Sequence, residues 1–566
     1  MDLGIDNLTG QNLAAPKMER KELVSAITLL IAGVLLRLVY IFHFRIDSDE
    51  PQHAHLVWAW VHGLLPYRDV FDNHSPLFQF LWSPIFRLIG ETPDVVLWLR
   101  LTLLPCYFLT LWAIYRIGET LYNRRVGLWG AVLSGLCPGF FFCSLEFRPD
   151  GFWAALWFVA IAILVRPQLT LSRSFLMGLM LGAALAVSMK TILMLLALAA
   201  GTLMVMAIVL RNSLKFSLGR LVPNIVMALV GFLLVPAVTV AFFASQGALE
   251  PLYYGTVQHN LLAQPETHHA IWIRLAVFFC GVMVVGLVAL VILWRDPHSV
   301  LASRRVLVWV STGIYFLLLL CFWPLLESEH FLPFYPLLLL LCVPWLLVIP
   351  FGKFKLPIPG YWMVGLVAMA ELIIMLGVAV PWQDHTRKDR EMLAEVLRLT
   401  SPGDEIMDLK GGTIFRQRPF YFGFEKITRQ AIQSGTIVDD VPESLIRTGT
   451  CVATGDTSRF PPLAREFLRE NYLPVGYLRV AGMFLTPAAV SLNTMPFEIK
   501  IPARYAVILA QGAATGRLDG NRYQGSLLLA AGHHEYQPGP GETKAAVLWA
   551  QAVERGFSPF QTSDRK

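Results

Sequence analysis

Long apolar runs recur through the first two thirds of the chain, separated by short polar connections. Eleven of them read as membrane-spanning helices, near 22–44, 94–118, 126–145, 150–166, 174–189, 191–210, 221–245, 270–294, 304–323, 331–350 and 360–382. Most approach the roughly 20 residues that cross a ~30 Å hydrocarbon core. Alternate connections are basic: Lys17, Arg20 and Lys21; Arg124 and Arg125; Arg166 and Arg173; Arg211, Lys215 and Arg220; Arg295, Arg304 and Arg305; Lys353 and Lys355. The intervening ones carry Glu146, Glu250, Glu266, Glu327 and Glu329. The positive-inside rule then puts residues 1–21 in the cytoplasm, and the acidic loops and everything beyond Trp382 outside. The first run ends in Phe42-His43-Phe44-Arg45 without a small-x-small cleavage site, which predicts an uncleaved signal anchor.

Past Trp382 the pattern changes to short elements. Helical periodicity covers Arg387 to Leu399 and Pro461 to Tyr472, with strands at Glu405–Leu409 and Thr450–Thr454. Strand patterns then follow at Phe497–Ile501, Tyr505–Ala510, Ser526–Leu529 and Ala545–Trp549. The expected fold is therefore mainly α: a polytopic transmembrane helix bundle over 22–382, N-terminus in and C-terminus out. An extracytoplasmic α/β domain is expected over 383–487, and a β-rich, sandwich-like module over 488–566.

Composition supports the membrane reading. Hydrophobic residues make up 55% of the 566 and charged ones 15%, against about 25% charged in soluble domains. The formal net charge of +6 is small and gives no support for a nucleic-acid partner. The seven cysteines include no CxxC pair, and six lie in apolar runs. No Walker-type loop, GxSxG or HExxH occurs, so ATP-driven transport and serine or zinc hydrolysis lack support.

The candidate chemistry gathers between Asp47 and Pro76, just after the first span. This stretch holds Asp47, Asp49, Glu50, Asp69, Asp72, His53, His55, His62 and His74. Crowded acids raise one another's pKa, so one raised carboxyl is expected here, with Asp49 the leading candidate for a base. Apolar positions at Leu56, Val57, Trp60, Val61 and Leu64, and again from Leu77 to Ile89, predict two amphipathic helices in the membrane interface, with Trp60 and Trp82 at headgroup depth.

An Asp-Glu pair after the first membrane helix, then G-x-x-P-Y-x-D (Gly63, Pro66, Tyr67, Asp69) and a Pro-led amphipathic helix, resembles the GT-C superfamily of glycosyltransferases. The resemblance is to its bacterial branch related to protein O-mannosyltransferases and lipid A aminoarabinose transferases. It implies a polyprenyl-phosphate sugar as donor and an acidic residue of the first external loop as base. It also implies a location in the bacterial inner membrane.

Other constellations extend this picture. Arg148-Pro149-Asp150 resembles the family's second-loop acidic motif, although Asp150 could equally cap the following helix. Lys190, at an external helix junction, could snorkel to headgroups or neutralise the leaving phosphate, and Arg148 could share that work. The fourth external loop holds Tyr254, His259, Glu266, His268 and His269. Its histidines could bind a divalent metal such as Zn²⁺, but match no fixed metal spacing, and the loop could instead close over the donor. Glu327-x-Glu329-His330-Phe331 resembles the family's H-Y-F pattern, with Phe331 in place of tyrosine. Arg37, Arg100 and Glu371 lie inside spans, where each is expected to pair with another polar group.

These residues imply a membrane glycosyltransferase that moves sugar from a polyprenyl-phosphate donor to a hydroxyl of a glycan, lipid or protein, with inversion. Asp49, Glu50, Asp47 and Asp150 are the catalytic candidates, Lys190 and Arg148 the phosphate ligands, and His74, Tyr254, His259 and His330 the substrate-loop residues. The alternatives are a lipid or glycan transporter or flippase, and an undecaprenyl-linked glycan ligase. The transferase reading expects Asp49 and Asp150 within about 10 Å of each other. It expects no catalytic residues from the tail, with Asp384, His385, His533 and His534 at its surface.

Overall fold

A computed structural model describes residues 18–211, 218–263, 271–295, 300–348, 361–487 and 494–560. Helices α1 (Arg20–His43), α2 (Asp49–Val61), α3 (Leu77–Ile89), α4 (Val95–Leu101) and α5 (Leu104–Leu121) lead into α6 (Arg124–Leu136), α7 (Pro138–Cys143) and α8 (Pro149–Leu164). The bundle continues with α9 (Leu171–Val187), α10 (Thr191–Arg211), α11 (Leu218–Ser245), α12 (Leu249–Tyr253) and α13 (His259–Leu261). It closes with α14 (Ile271–Arg295), α15 (Val300–Phe322), α16 (Tyr335–Val348) and α17 (Tyr361–Val378). Among the described residues, six helical stretches are long and apolar enough to cross a membrane, and five apolar helices are shorter.

Each expected span falls on one helix or on a broken pair. The second is split into α4 and α5, with Pro105 in the first turn of α5. The third is split where Pro138 opens α7. Proline fits the first turn of a helix, where its missing N–H costs nothing, and cannot continue the helix before it. Glycines set the closest helix contact. A Cβ on Gly178 would lie 1.9 Å from the Ala228 carbonyl oxygen, and one on Gly182 would lie 2.1 Å from that of Phe232. Backbones can approach this far only where side chains are absent.

The two ends of the bundle differ in charge. At one end Arg125 pairs with Glu22 at 2.6 Å, Arg305 donates to the Leu121 carbonyl at 2.8 Å, and Arg304 donates to that of Pro167. The acidic connections gather at the other. Lys17, Lys215, Lys353 and Lys355 lie outside the described residues.

Neither expected interfacial helix behaves as a simple amphipath. In α2, residues Glu50 to Ala59 are all buried, because the tail covers what was expected to be a solvated face. Helix α3 keeps an exposed apolar side at Phe80, Leu81 and Leu88. Its Trp82 is buried and donates to Thr102 Oγ1 at 2.7 Å.

The tail begins with α18 (Arg387–Leu399) and also contains α19 (Lys426–Gln433). Its strands are β1 (Ile406–Met407), β2 (Val452–Thr454), β3 (Tyr472–Val475), β4 (Leu478–Leu485), β5 (Met495–Ile499) and β6 (Ala503–Leu509). They continue with β7 (Arg517–Leu518), β8 (Asn521–Arg522), β9 (Leu527–Leu529), β10 (Gly532–Gln537) and β11 (Ala545–Trp549). One sheet has the order β1-β2-β4-β11-β6-β9, with β3 also on β4; a second has the order β5-β10-β7-β8. The expected boundary at 487 therefore falls within a shared sheet. Strand β4, before it, pairs with β11, after it, placing Ala545 opposite Leu485. A single core joins Met407, Phe460, Tyr536 and Val547 across the same boundary.

Candidate active site

The acidic loop is positioned from below by two buried arginines. Arg37, on α1, donates to the carbonyls of Phe141 and Ser144 and stacks over the Tyr107 ring at 4.0 Å, fixing the start of the 144–149 connection. Arg100, on α4, makes two bonds to Glu50, at 2.6 and 2.5 Å, and donates to the carbonyls of Phe44 and Arg45. It thereby closes the C-terminus of α1 and sets the start of α2. Glu50 also accepts from the backbone N–H groups of Asp47 and Phe147. Its carboxylate is fully enclosed by these partners, so this catalytic candidate is turned away from the cavity into a structural pair.

The G-x-x-P-Y-x-D residues build the next turn. Gly63 has φ +77° and Tyr67 φ +69°, both left-handed. Asp69 accepts from the Leu65 N–H at 2.8 Å, and the buried Tyr67 hydroxyl donates to the His74 carbonyl at 2.5 Å. Asp72, itself buried, then accepts from the His74 N–H and meets its Nδ1 at 2.9 Å. His74 is thus held at the cavity wall.

Arg148 is the centre of the site. Its guanidinium meets Glu329 at 2.6 Å and Asp49 at 2.8 Å, with Glu146 at 3.5 Å, Asp150 at 3.6 Å and Asp47 at 3.7 Å. Asp49 and Asp150 share this one side chain, which keeps them inside the ~10 Å expected of cooperating carboxylates. Lys190 pairs with Asp150 at 2.7 Å and lies over the Trp153 ring. Asp150 makes no cap to its helix; its partners are the two cations.

The expected raised carboxyl is not Asp49. Burial pushes Asp49 upward, but Arg148 and Lys410 outweigh burial and hold it far below the usual carboxylate range. Glu146 is raised instead, to about 8, through burial and the nearby Glu50 charge, and Glu327 is also raised, by burial and by Glu329. His53, one turn along α2 from Asp49, is kept neutral by burial and by His74.

These groups line a cavity of about 1210 Å³ between the bundle and the tail. Asp47, Asp49, His74, Glu146, Arg148, Asp150, Lys190 and His330 all reach it. Tyr254 and His259 do not. His259 is buried, meets Glu425 of the tail at 2.7 Å, and stacks on Phe422. Tyr254 packs against the same two rings, so both residues dock the tail while their neighbours Thr256 and Asn260 face the cavity. His330 is fixed by its Nδ1, which accepts from the Glu327 N–H, and its carbonyl accepts from Tyr315. Glu266, His268 and His269 lie outside the described residues. Among the described residues no three His, Cys, Asp or Glu side chains are arranged to hold a metal ion. The central position among the carboxylates belongs to a guanidinium.

The tail supplies what the sequence reading missed. Lys410 forms an ion pair with Asp49, and His385 also lines the cavity. Lys410 sits in a turn built on buried Asp408, which accepts from the N–H groups of Gly411 and Thr413 and pairs with Arg418 at 2.9 Å. Gly411 has φ +92°, and a Cβ there would meet His55 at 2.8 Å, so this turn lies directly on α2. A lysine followed by Gly-Gly at the end of a short strand was the available signal, since loops at strand ends often carry function.

The family model for dolichyl-phosphate-mannose-protein mannosyltransferase matches residues 73–239, a stretch that includes His74, Arg148, Asp150 and Lys190. ArnT from Cupriavidus metallidurans in the apo state superposes with a TM-score of 0.52 at 13% identity, covering 80% of this chain and 97% of that one. The same protein bound to undecaprenyl phosphate gives 0.52 at 12% identity with the same coverage. Archaeal oligosaccharyltransferase AglB from Archaeoglobus fulgidus, in complex with an inhibitory peptide and a dolichol-phosphate, reaches 0.43 at 11% identity, covering 83% of this chain and 73% of that one. That likeness is too low to carry an argument. No curated protein matches the sequence. The family model thus matches less than half of the chain, and the likeness to ArnT shows that the chain shares its fold.

Proposed function

We propose that this protein transfers a sugar from a polyprenyl-phosphate donor to an acceptor hydroxyl, with inversion, on the extracytoplasmic face of a bacterial inner membrane. The observation that carries the reading is the Asp49–Arg148–Asp150–Lys190 constellation inside a cavity where an apolar bundle meets a soluble tail. A lipid-borne donor and a water-borne or lipid-borne acceptor can meet there. The apolar lining at Phe142, Leu193, Phe322 and Val378 suits the first prenyl units.

In the transfer step the acceptor oxygen attacks the anomeric carbon as the carbon–oxygen bond to phosphate breaks. Asp49 takes the hydroxyl proton, and the bonding electrons leave on the polyprenyl phosphate. Arg148 and Lys190 are the cations to hold that phosphate; Arg148 Nε is buried, with no hydrogen-bond partner among the described residues. Phosphate would replace carboxylates around these two side chains, and a planar guanidinium engages it with parallel bonds. Asp150 and Glu329 then keep both cations aimed into the cavity.

Purified full-length protein, given a panel of polyprenyl-phosphate sugars and candidate acceptors, should release free polyprenyl phosphate and form a glycosidic bond of opposite anomeric configuration. Transfer with retained configuration would refute direct attack. Sugar transfer from a nucleotide donor alone would refute the donor assignment.

A further inference from the structure

The cavity has two walls of different charge. The bundle wall carries Asp47, Asp49, Glu146, Asp150 and Glu329, and its cations Arg45, Arg148 and Lys190 are all paired with those acids. The tail wall is basic: Lys410, Lys426, Arg429 and Arg459 line it. Its acid, Glu425, is committed elsewhere, to His259 and to the N–H groups opening α19. Arg429 presents a buried Nε–H that has no hydrogen-bond partner among the described residues. A buried donor left unbonded is unfavourable, and an incoming acceptor atom removes that penalty. Arg459 is exposed at the rim and makes no ion pair among the described residues. The donor's phosphate is already provided for on the opposite wall, so these tail cations are surplus to it.

We infer that the tail forms an anion-binding subsite for the acceptor, built from Lys410, Arg429 and Arg459, and that the acceptor carries phosphate or carboxylate beside its reacting hydroxyl. The inference rests on the transferase reading only for the word acceptor; the basic wall stands without it. Lys410 fixes the geometry. It reaches Asp49 from a turn locked by Asp408, so an anion bound to Lys410 lies next to the proposed base. The same anion gives Lys410 an alternative partner, and the Asp49 oxygen it releases is free to accept the hydroxyl proton. Correct acceptors would therefore switch on the base that receives their proton.

The test uses full-length protein in nanodiscs and three glycolipid probes sharing one skeleton: phosphorylated, uronate-bearing and neutral. Direct binding should favour both charged probes over the neutral one by about tenfold or more, an effect in the range of charge pairs at interfaces. The Arg429→Glu/Arg459→Glu protein should lose that preference, and Arg429→Lys/Arg459→Lys should keep most of it, which separates charge from folding. A preference for phosphate alone narrows the subsite to phosphate-bearing acceptors and supports the inference. Equal binding of the neutral probe, or an unchanged preference in the Glu variants, overturns it. If the charged probes bind as expected but no sugar leaves any polyprenyl donor, the transferase reading fails and the subsite stands.

Discussion

On a helix, successive side chains point about 100° apart, and this separates the two adjacent acids at the start of α2. Asp49 faces Arg148 and the cavity, while Glu50 is swallowed by Arg100. Asp49→Asn should therefore remove about 10²–10⁴-fold of kcat, the usual size of general-base help, with melting lowered less than by Glu50→Gln and donor KM little affected. A variant retaining more than about a tenth of its rate would move the base elsewhere. Glu50→Gln should act through folding instead, since breaking a buried ion pair leaves an uncompensated charge and costs about 3–5 kcal/mol. A thermal melt compares the two. The sequence showed the crowd of acids but not which carboxyl each cation would reach, so the raised group was assigned to Asp49 rather than Glu146. With its folded value near 8, Glu146 stays protonated at neutral pH and gains a charge beside Arg148 above it. Rate should fall on an alkaline limb near pH 8, and Glu146→Gln should flatten that limb. The linked stability has the same sign: it is complete below the unfolded carboxyl value and is lost as pH rises toward 8.

At the scale of elements, periodicity located what is local and missed what depends on a distant partner. The spans, α3 and most tail strands were legible because each repeats its own pattern over enough residues. The burial of α2 was not, since its polar face is covered by a turn more than 350 residues away in sequence. That turn holds Lys410 against Asp49, and His55 Nδ1 meets the Ile414 carbonyl beside it at 2.8 Å. Strands β3, β4, β7, β8 and β10 were also missed, because their pairing rather than their pattern defines them. Close helix contacts are equally non-local. Gly182→Val would place new atoms where the Phe232 carbonyl now sits, and should cost more than ~3 kcal/mol or force α9 and α11 apart. The same change at Gly365, which has open space around it, should cost far less. Melting temperatures of the two proteins in one detergent decide this; equal losses would mean that the α9–α11 contact is not tight.

For the whole molecule, the two ends of the bundle decide how it sits in a membrane. Arg125, Arg304 and Arg305 cluster at one end with the start of α1, whereas the acidic connections and the tail meet at the other. The tail is tied down there at separate points: Lys410 to Asp49, Glu425 to His259, Arg416 to Glu91 at 3.1 Å, and Arg390 to Asp94 at 2.5 Å. The tail and the acidic loop must therefore share a side, whichever side that is. Lysine and arginine near span ends are retained in the cytoplasm, so the basic end is expected inside. In a cysteine-free background, a single cysteine at Arg124, whose side chain is 84% exposed, should react with a membrane-impermeant maleimide only after the cells are opened. One at Val438, 72% exposed on the tail, should react in intact spheroplasts. Labelling of both positions from the same side would contradict the fold. Reversed labelling would leave the fold standing but turn the cavity to the cytoplasm, where a nucleotide-sugar donor becomes available and the polyprenyl-phosphate assignment fails.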